Sequence, residues 1–369
     1  MLCIQTSVLL AVLLSGLSRS SAGELRFETS FAEGQRRAKA ENRLLLVDFW
    51  RDGCIWCQRL EANTFTDQDV KALLAGFVLV KAKNTESPAE VQRFGVDGYP
   101  TMVIVDPEGN AIDVHSGYMT PDELCSWVSS EKDYYGRIIA CKDRLGKDPG
   151  DLATAIVLGR LYAGVGKYDL AGKIFDDVLR LDPESRQPES AEAHLEKGMI
   201  LRKRYEYTKA VEAMGRAKVI ALRLAAAPPS SPAAPKKPAA PAEGKDAFGK
   251  DAPSPTPPPV PPAGAGARPP STPPADVLES ALYEIAFTFQ TASRIPALIA
   301  ALEDYDAKVA AGAFKPEPRR HARVLLQLGY ARRKAEQADA ARAAFARCDE
   351  VYPRTPEARE CREELASGR

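Results

Sequence analysis

Residues 44–61 read LLLVDFWRDGCIWCQRLE, and the order of residue types in them sets the fold of the first part of the chain. Leu44-Leu45-Leu46-Val47, then Asp48, Phe49 and Trp50, form a nearly continuous apolar run with one carboxylate set inside it. That is the pattern of a strand buried on both faces. Gly53 precedes Cys54, and Cys57-Gln58-Arg59-Leu60-Glu61 continues as a helix, which places the first cysteine at a helix N-terminus. There the orphan N–H groups and the partial positive charge favour a thiolate over a thiol. Cys54 is therefore the expected nucleophile. Cys57, one turn further in and facing the core, is placed to attack a mixed disulfide and release the product. Two other uses of the pair stay open, a structural disulfide and half of a metal site. A zinc site would need two more ligands, and the chain offers only His115, His194 and His321 as imidazole donors. The strand before the motif and the helix after it favour redox use.

Working outward, Ser30-Phe31-Ala32-Glu33 is a capping box that opens an amphipathic helix to about Glu41. Phe77-Val78-Leu79-Val80-Lys81 is a second buried strand, and residues 89–94 form a short helix. Gly98-Tyr99-Pro100-Thr101 precedes the apolar run Met102-Val103-Ile104-Val105, and a proline just ahead of a strand is compatible with a cis peptide at a turn. Pro107-Glu108-Gly109-Asn110 has the composition of a hairpin turn. Thr120-Pro121-Asp122-Glu123 is a second capping box with proline at the first helical position, and the helix it opens is expected to run through Val128.

Val47-Asp48-Phe49-Trp50, the Cys54/Cys57 pair and Tyr99-Pro100-Thr101, in this order and at these spacings, resemble the thioredoxin superfamily over about residues 28–131. Cys57-Gln58-Arg59-Leu60-Glu61 and Thr64-Phe65-Thr66-Asp67 are similar to its secreted branch and to the C-terminal domain of transmembrane thiol:disulfide interchange proteins. The resemblance implies an α/β fold with a central mixed sheet flanked by helices, and a role for each matching residue. Pro100 would lie in cis against the disulfide. Tyr99 would offer its backbone to an extended substrate strand, with Trp56 a further substrate contact. Asp48 would be the buried carboxylate that takes the Cys57 proton, its pKa raised by burial toward working pH, with Lys81 as a neighbour in the proton relay. Ile55-Trp56 stands where cytosolic thioredoxin has Gly-Pro, and Gly53 where a tryptophan commonly precedes the first cysteine. The intervening pair helps set the reduction potential, so the direction of electron flow stays open among reduction, oxidation and isomerisation.

From Asp151 the periodicity becomes helical and repeats itself. Leu158-Gly159, Tyr162, Ala171, Phe175 and Pro183 fall at the spacings of a tetratricopeptide repeat, and Leu328-Gly329, Ala341, Phe345 and Pro353 reproduce them. Gly198, Ala210 and Ala217 give a weaker copy, and residues 277–309 a degenerate helical pair. In such repeats glycine and alanine sit where paired helices cross, and leucine, tyrosine and phenylalanine fill the space between. About three or more repeats are needed for stability, so the two halves are expected to dock into one all-α solenoid. Between them, 17 of the 29 prolines fall in residues 228–274, a stretch disordered or polyproline II by composition.

The apolar run at residues 8–17 followed by Ser20-Ser21-Ala22 reads as a cleaved secretory signal, too short to cross a bilayer. The expected organisation is a signal peptide over 1–22, a thioredoxin-like domain over 23–131, a connecting helix over 132–150, helical repeats over 151–224, a disordered Pro/Ala-rich linker over 225–275 and further repeats over 276–369. Cleavage leaves Cys54, Cys57, Cys125, Cys141, Cys348 and Cys361, an even number suited to an oxidising, secreted or periplasmic setting. Spacing alone offers Cys125–Cys141 and Cys348–Cys361 as structural disulfides. Basic and acidic residues number 50 each, which disfavours a nucleic-acid binder. Residues 23–135 nevertheless carry a net charge of −7, and residues 136–369 a net charge of +6. The chain shows no phosphate-binding loop, Ser/His/Asp arrangement or metal cluster, and no cofactor is implied. The expected partners are protein thiols and disulfides, a redox partner, and a protein bound by the repeats. A scaffold, non-enzymatic or redox-regulated, is the alternative.

Overall fold

In the computed structural model, which describes residues 24–226 and 269–367, β2 (Leu45–Trp50) is the middle strand of a five-stranded sheet. The sheet order is β1-β3-β2-β4-β5, with β1 at Phe27–Glu28, β3 at Val78–Lys83, β4 at Thr101–Val105 and β5 at Ala111–Ser116. β3 runs parallel to both β1 and β2, whereas β4 is antiparallel to β2 and β5. Side chains alternate along a strand, so β2 feeds two cores. Leu45, Val47 and Phe49 join Phe31, Val80, Phe94 and Val103 on one face, while Leu46 joins Leu60, Phe65, Leu79 and Met102 on the other. Asp48 has the parity of Leu46 and faces the same side as Leu60.

The flanking helices are α1 (Phe31–Glu41), α2 (Ile55–Arg59, continued by a π turn over Leu60–Thr64), α3 (Gln68–Leu74), α4 (Pro88–Arg93) and α5 (Pro121–Lys147). Ser30 caps α1 by accepting the Glu33 N–H. At α5 both halves of the capping box form: Thr120 N–H donates to Glu123, and Glu123 N–H donates to the Thr120 hydroxyl. Sequence reading missed α3, whose cap Asp67 accepts from the Asp69 and Val70 N–H groups. α5 does not stop at Val128. Ser129 and Ser130 are poor stop signals, the helix carries Gly136 and Gly146 within it, and it ends at Lys147, two residues before Pro149.

That continuation corrects one expected disulfide. Cys125 and Cys141 lie on the same helix, 16 residues apart. At about 1.5 Å per residue the separation is about 24 Å, far outside the roughly 4–7 Å that a disulfide allows between Cα atoms.

The chain divides into two units between Arg137 and Ile138. The second is all-helical: α6 (Leu152–Gly164), α7 (Tyr168–Leu181), α8 (Pro188–Lys203), α9 (Tyr207–Ala226), α10 (Pro274–Thr291), α11 (Ile295–Ala310), α12 (Pro318–Lys334), α13 (Ala338–Val351) and α14 (Pro356–Ala366). The repeat glycines are explained by close approach. A Cβ on Gly159 would lie 2.4 Å from the Phe175 ring, one on Gly198 2.5 Å from Met214, and one on Gly329 2.3 Å from the Phe345 ring.

The two sequence-distant halves form one array, because Met214, Ala217 and Ile220 of α9 share a core with Val277, Leu278 and Leu282 of α10. Ser271 and Thr272 fasten the returning chain through hydrogen bonds to Glu189 and Glu192 of α8. α9 and α10 also reach further into the expected 225–275 linker than the composition implied. The signal peptide and the greater part of that linker lie outside the described residues. Among the described residues, no helix is long and apolar enough to cross a membrane.

Candidate active site

The turn between β2 and α2 builds the site. Gly53 adopts φ +69°, a left-handed conformation that glycine reaches without strain and other residues rarely hold. Cys54 is the N-cap of α2, and its sulfur accepts the backbone N–H of Cys57 at 3.1 Å. The two sulfurs are joined in a disulfide with Cα atoms 5.3 Å apart. Both cysteines are nearly buried, yet the residues between them are not: Ile55 is 74% exposed and Trp56 51%. These two side chains are far more open to solvent than the cysteines that flank them.

Strand register delivers the rest. Asp48 on β2 pairs with Lys81 on parallel β3 and with Met102 on antiparallel β4, so one carboxylate sits between an ammonium and an apolar wall. Asp48 is 2% exposed; its Oδ1 has no hydrogen-bond partner, and its Oδ2 lies 3.9 Å from Lys81 Nζ. Burial pushes its pKa up to about 6, against the downward pull of the Lys81 charge. Burial lowers the Lys81 pKa in turn, and Asp48 opposes that. Lys81 also forms an ion pair with Glu61 and lies over the rings of Phe27 and Phe65, at 4.9 and 5.7 Å from their centroids.

Sequence reading noted Glu61 only as part of the helix. Its spacing of four residues from Cys57 was the available signal, since such residues share a helix face.

The Tyr99–Pro100 peptide is cis and leads directly into β4. The Thr101 hydroxyl bonds the Gly98 carbonyl at 2.9 Å and meets the Ser116 hydroxyl at 3.0 Å, and Gly117 N–H donates to the Pro100 carbonyl at 2.8 Å. Trp56 is held from two sides, by the Arg59 guanidinium 5.2 Å from its ring and by Tyr118 with ring centroids 5.8 Å apart. Tyr118 has no sequence signal, because only the turn after β5 carries it to Trp56. It also lines an open groove of about 600 Å³ with His115, Asp122, Glu123, Trp127 and Glu131.

Of the remaining cysteines, Cys125 is a thiol whose pKa is raised by burial and nearby carboxylates. Cys348 on α13 and Cys361 on α14 are brought together, as the spacing implied, but as hydrogen-bonded thiols and not as a disulfide. Among the described residues, no three His, Cys, Asp or Glu side chains cluster as a metal site.

Comparison with known proteins agrees with this geometry. A family profile described as a thioredoxin-like domain matches residues 31–131, and two tetratricopeptide-repeat profiles match residues 154–185 and 323–355. The thiol:disulfide interchange protein DsbD of Ralstonia nicotianae is 33% identical over 112 residues, which are 26% of this chain and 18% of that protein. DsbD of Actinobacillus pleuropneumoniae is 28% identical over 124 residues, 31% of this chain and 21% of that protein. The matched region thus spans about a fifth of the length of these relatives. Among solved structures, a DsbH oxidoreductase aligns with TM-score 0.28 and 18% identity, covering 32% of this chain and 90% of its own. MamA aligns with TM-score 0.36 and 19% identity, covering 65% and 94%. The chain carries a thioredoxin-like domain followed by tetratricopeptide repeats.

Proposed function

We propose that this protein is an extracytoplasmic thiol–disulfide oxidoreductase that acts on protein substrates through Cys54 and Cys57 and uses its helical array to dock proteins. The observation that carries the reading is the position of the Cys54 sulfur. It caps a helix by accepting a backbone N–H, which is the environment that stabilises a thiolate.

In the reducing direction the Cys54 thiolate attacks a substrate disulfide, forming a mixed disulfide and expelling one substrate thiolate. Cys57 then loses its proton to Asp48 and attacks the Cys54 sulfur, which closes the Cys54–Cys57 disulfide and frees the second substrate thiolate. Two electrons pass from the dithiol to the substrate, and the oxidising direction is the same path reversed.

A carboxylate with a pKa of about 6 suits its part: it is mostly ionised at neutral pH and basic enough to take a thiol proton. Trp56, Tyr99 and Pro100 form the surface against which the substrate strand lies, and Lys81 with Glu61 tunes the carboxylate. The DsbD relatives and the expected signal peptide support an extracytoplasmic setting.

The reading is tested by equilibrating the chain in a glutathione series while Cys54 and Cys57 are followed by mass-resolved alkylation. A potential near about −270 mV marks a reductase that needs an electron donor, and one near about −120 mV marks a disulfide donor. A pair that does not cycle overturns the enzyme reading and leaves a protein-binding scaffold. Asp48→Asn is expected to slow resolution of the mixed disulfide while sparing its formation; equal slowing of both steps removes Asp48 from the role of base.

A further inference from the structure

Outside the active site, one pair of nucleophilic side chains is buried face to face. Cys348 of α13 and Cys361 of α14 are each 0% exposed and share a core with Ala322, Leu325, Phe345 and Ala358. The Cys361 thiol is hydrogen-bonded to Cys348, and Cys348 Sγ donates in turn to the Ala322 carbonyl at 3.4 Å.

Their approach is fixed from outside the pair. The Tyr330 hydroxyl of α12 reaches Glu360 at 2.6 Å and Glu364 at 3.0 Å, and Arg333 pairs with Glu364 at 2.5 Å. The Thr355 hydroxyl caps α14 by accepting the Ala358 N–H at 3.2 Å. These contacts hold α14 on the array with Cys361 turned inward. α14 has only 11 residues, a length that is marginal as an isolated helix, so its order depends on this docking.

We propose that Cys348 and Cys361 close a second disulfide, separate in role from Cys54–Cys57, which locks the last helix onto the array and takes no part in exchange. The oxidant is a disulfide of the glutathione class. One cysteine thiolate attacks it and expels a glutathione thiolate, and the other cysteine then displaces the second glutathione. Two thiols thus become one disulfide, and one oxidised glutathione becomes two reduced ones, with two electrons and two protons transferred. Because neither sulfur is exposed in the docked helix, closure belongs to folding or to a local opening of α14. The closed bond is then shielded from reductants that reach Cys54–Cys57. Charge also acts on this pair, since buried Glu357 and nearby Asp349 disfavour a thiolate on Cys348, and Glu360 and Asp349 disfavour one on Cys361.

A peptide map of the full chain tests the proposal. Cleavage after arginine puts Cys348 in peptide 348–354 and Cys361 in peptide 360–362, so a bond between them joins two separate fragments. The chain is unfolded and refolded in oxidised glutathione or in dithiothreitol, then unfolded again in the presence of an alkylating agent and digested without reduction. The expected result after oxidation is the joined pair, absent after dithiothreitol. In a Cys54→Ser/Cys57→Ser background, oxidation is expected to raise the melting temperature by about 5 °C or more. Adding Cys348→Ala and Cys361→Ala is expected to remove that rise. Recovery of both peptides fully alkylated after oxidation, or joined instead to Cys125 or Cys141, overturns the proposal. If the quadruple variant does not fold, the map of the wild-type chain decides alone. Because the map follows this pair by itself, it is indifferent to whether Cys54–Cys57 cycles.

Discussion

Asp48 of the α/β unit and Asp182 of the helical array are both buried, and their surroundings differ. Asp182, after α7, accepts hydrogen bonds from the Arg186 and Gln187 N–H groups and from the Ser190 hydroxyl. Asp48, on the central strand, has one oxygen without a hydrogen-bond partner and a single cation 3.9 Å from the other. A buried acceptor left unsatisfied costs on the order of 1–3 kcal/mol. In the helical array the carboxylate is satisfied because its work is structural: it ties the chain between α7 and α8. On β2 the carboxylate is buried with one oxygen unpartnered, and burial raises its pKa. The α/β unit therefore gives up stability at Asp48, the carboxylate to which the proposed exchange assigns proton transfer, while Asp182 spends its hydrogen bonds on joining α7 to α8.

The sharpest break in this comparison is Cys54→Ser. It is expected to reduce exchange of a protein disulfide at least about 1,000-fold, as loss of a covalent nucleophile does, and to leave the melting of the helical array unchanged. A turnover assay and a far-UV melt check the two halves of the statement.

The mirror-image variant is Gly329→Val. Its side chain meets the Phe345 ring where a Cβ alone would already lie at 2.3 Å. It is expected to destabilise the array by about 3 kcal/mol in denaturant titration, with the exchange rate within twofold of wild type.

Asp48→Asn tests the poise directly. A carboxyl with a folded pKa of about 6, against about 4 unfolded, binds more protons in the folded state between those values, so wild-type stability falls as pH rises through that window. The variant lacks the group. It is expected to gain up to about 2–3 kcal/mol over wild type at pH 7 and nothing at pH 4, read from urea midpoints at the two pH values. A gain equal at both pH values would break the link between stability and proton affinity.

The smallest effect belongs to Trp56→Ala, which removes a half-exposed ring packed on Tyr118 and Arg59. kcat/KM for a protein disulfide is expected to fall about fivefold to tenfold, with stability within about 0.5 kcal/mol of wild type.

Much of the geometry of the candidate site could be read from residue order, because its elements carry local signals. An apolar run with an aspartate inside it, a glycine before a cysteine, and a proline before a second apolar run each name a conformation. The repeat glycines were legible for the same reason, since the spacing of Gly159 and Phe175 implies a crossing whose closeness the structure then measures. Where local signals are weak, reading failed. Helix α3 has little apolar periodicity before its buried Val70 and Leu74, and α5 ran on past Val128 because two serines do not end a helix. The Cys125–Cys141 pairing fell with that second error, since spacing in sequence says nothing of distance until the path of the chain is known. The ion pair of Lys81 with Glu61 and the contact of Trp56 with Tyr118 join elements far apart in sequence, and neither partner advertises the other.

By itself, then, the sequence determined which residues are candidates for the chemistry and most of the segments that become strands, caps and repeat helices. Those depend on backbone preference and periodicity within a few residues. Only the tertiary structure decided the environment of each group: that one oxygen of Asp48 lacks a hydrogen-bond partner, that Lys81 stands opposite it across two parallel strands, that α9 meets α10, and that Cys348 meets Cys361. Strand register and helix packing set those distances, and desolvation converts them into the proton affinity on which the proposed exchange rests.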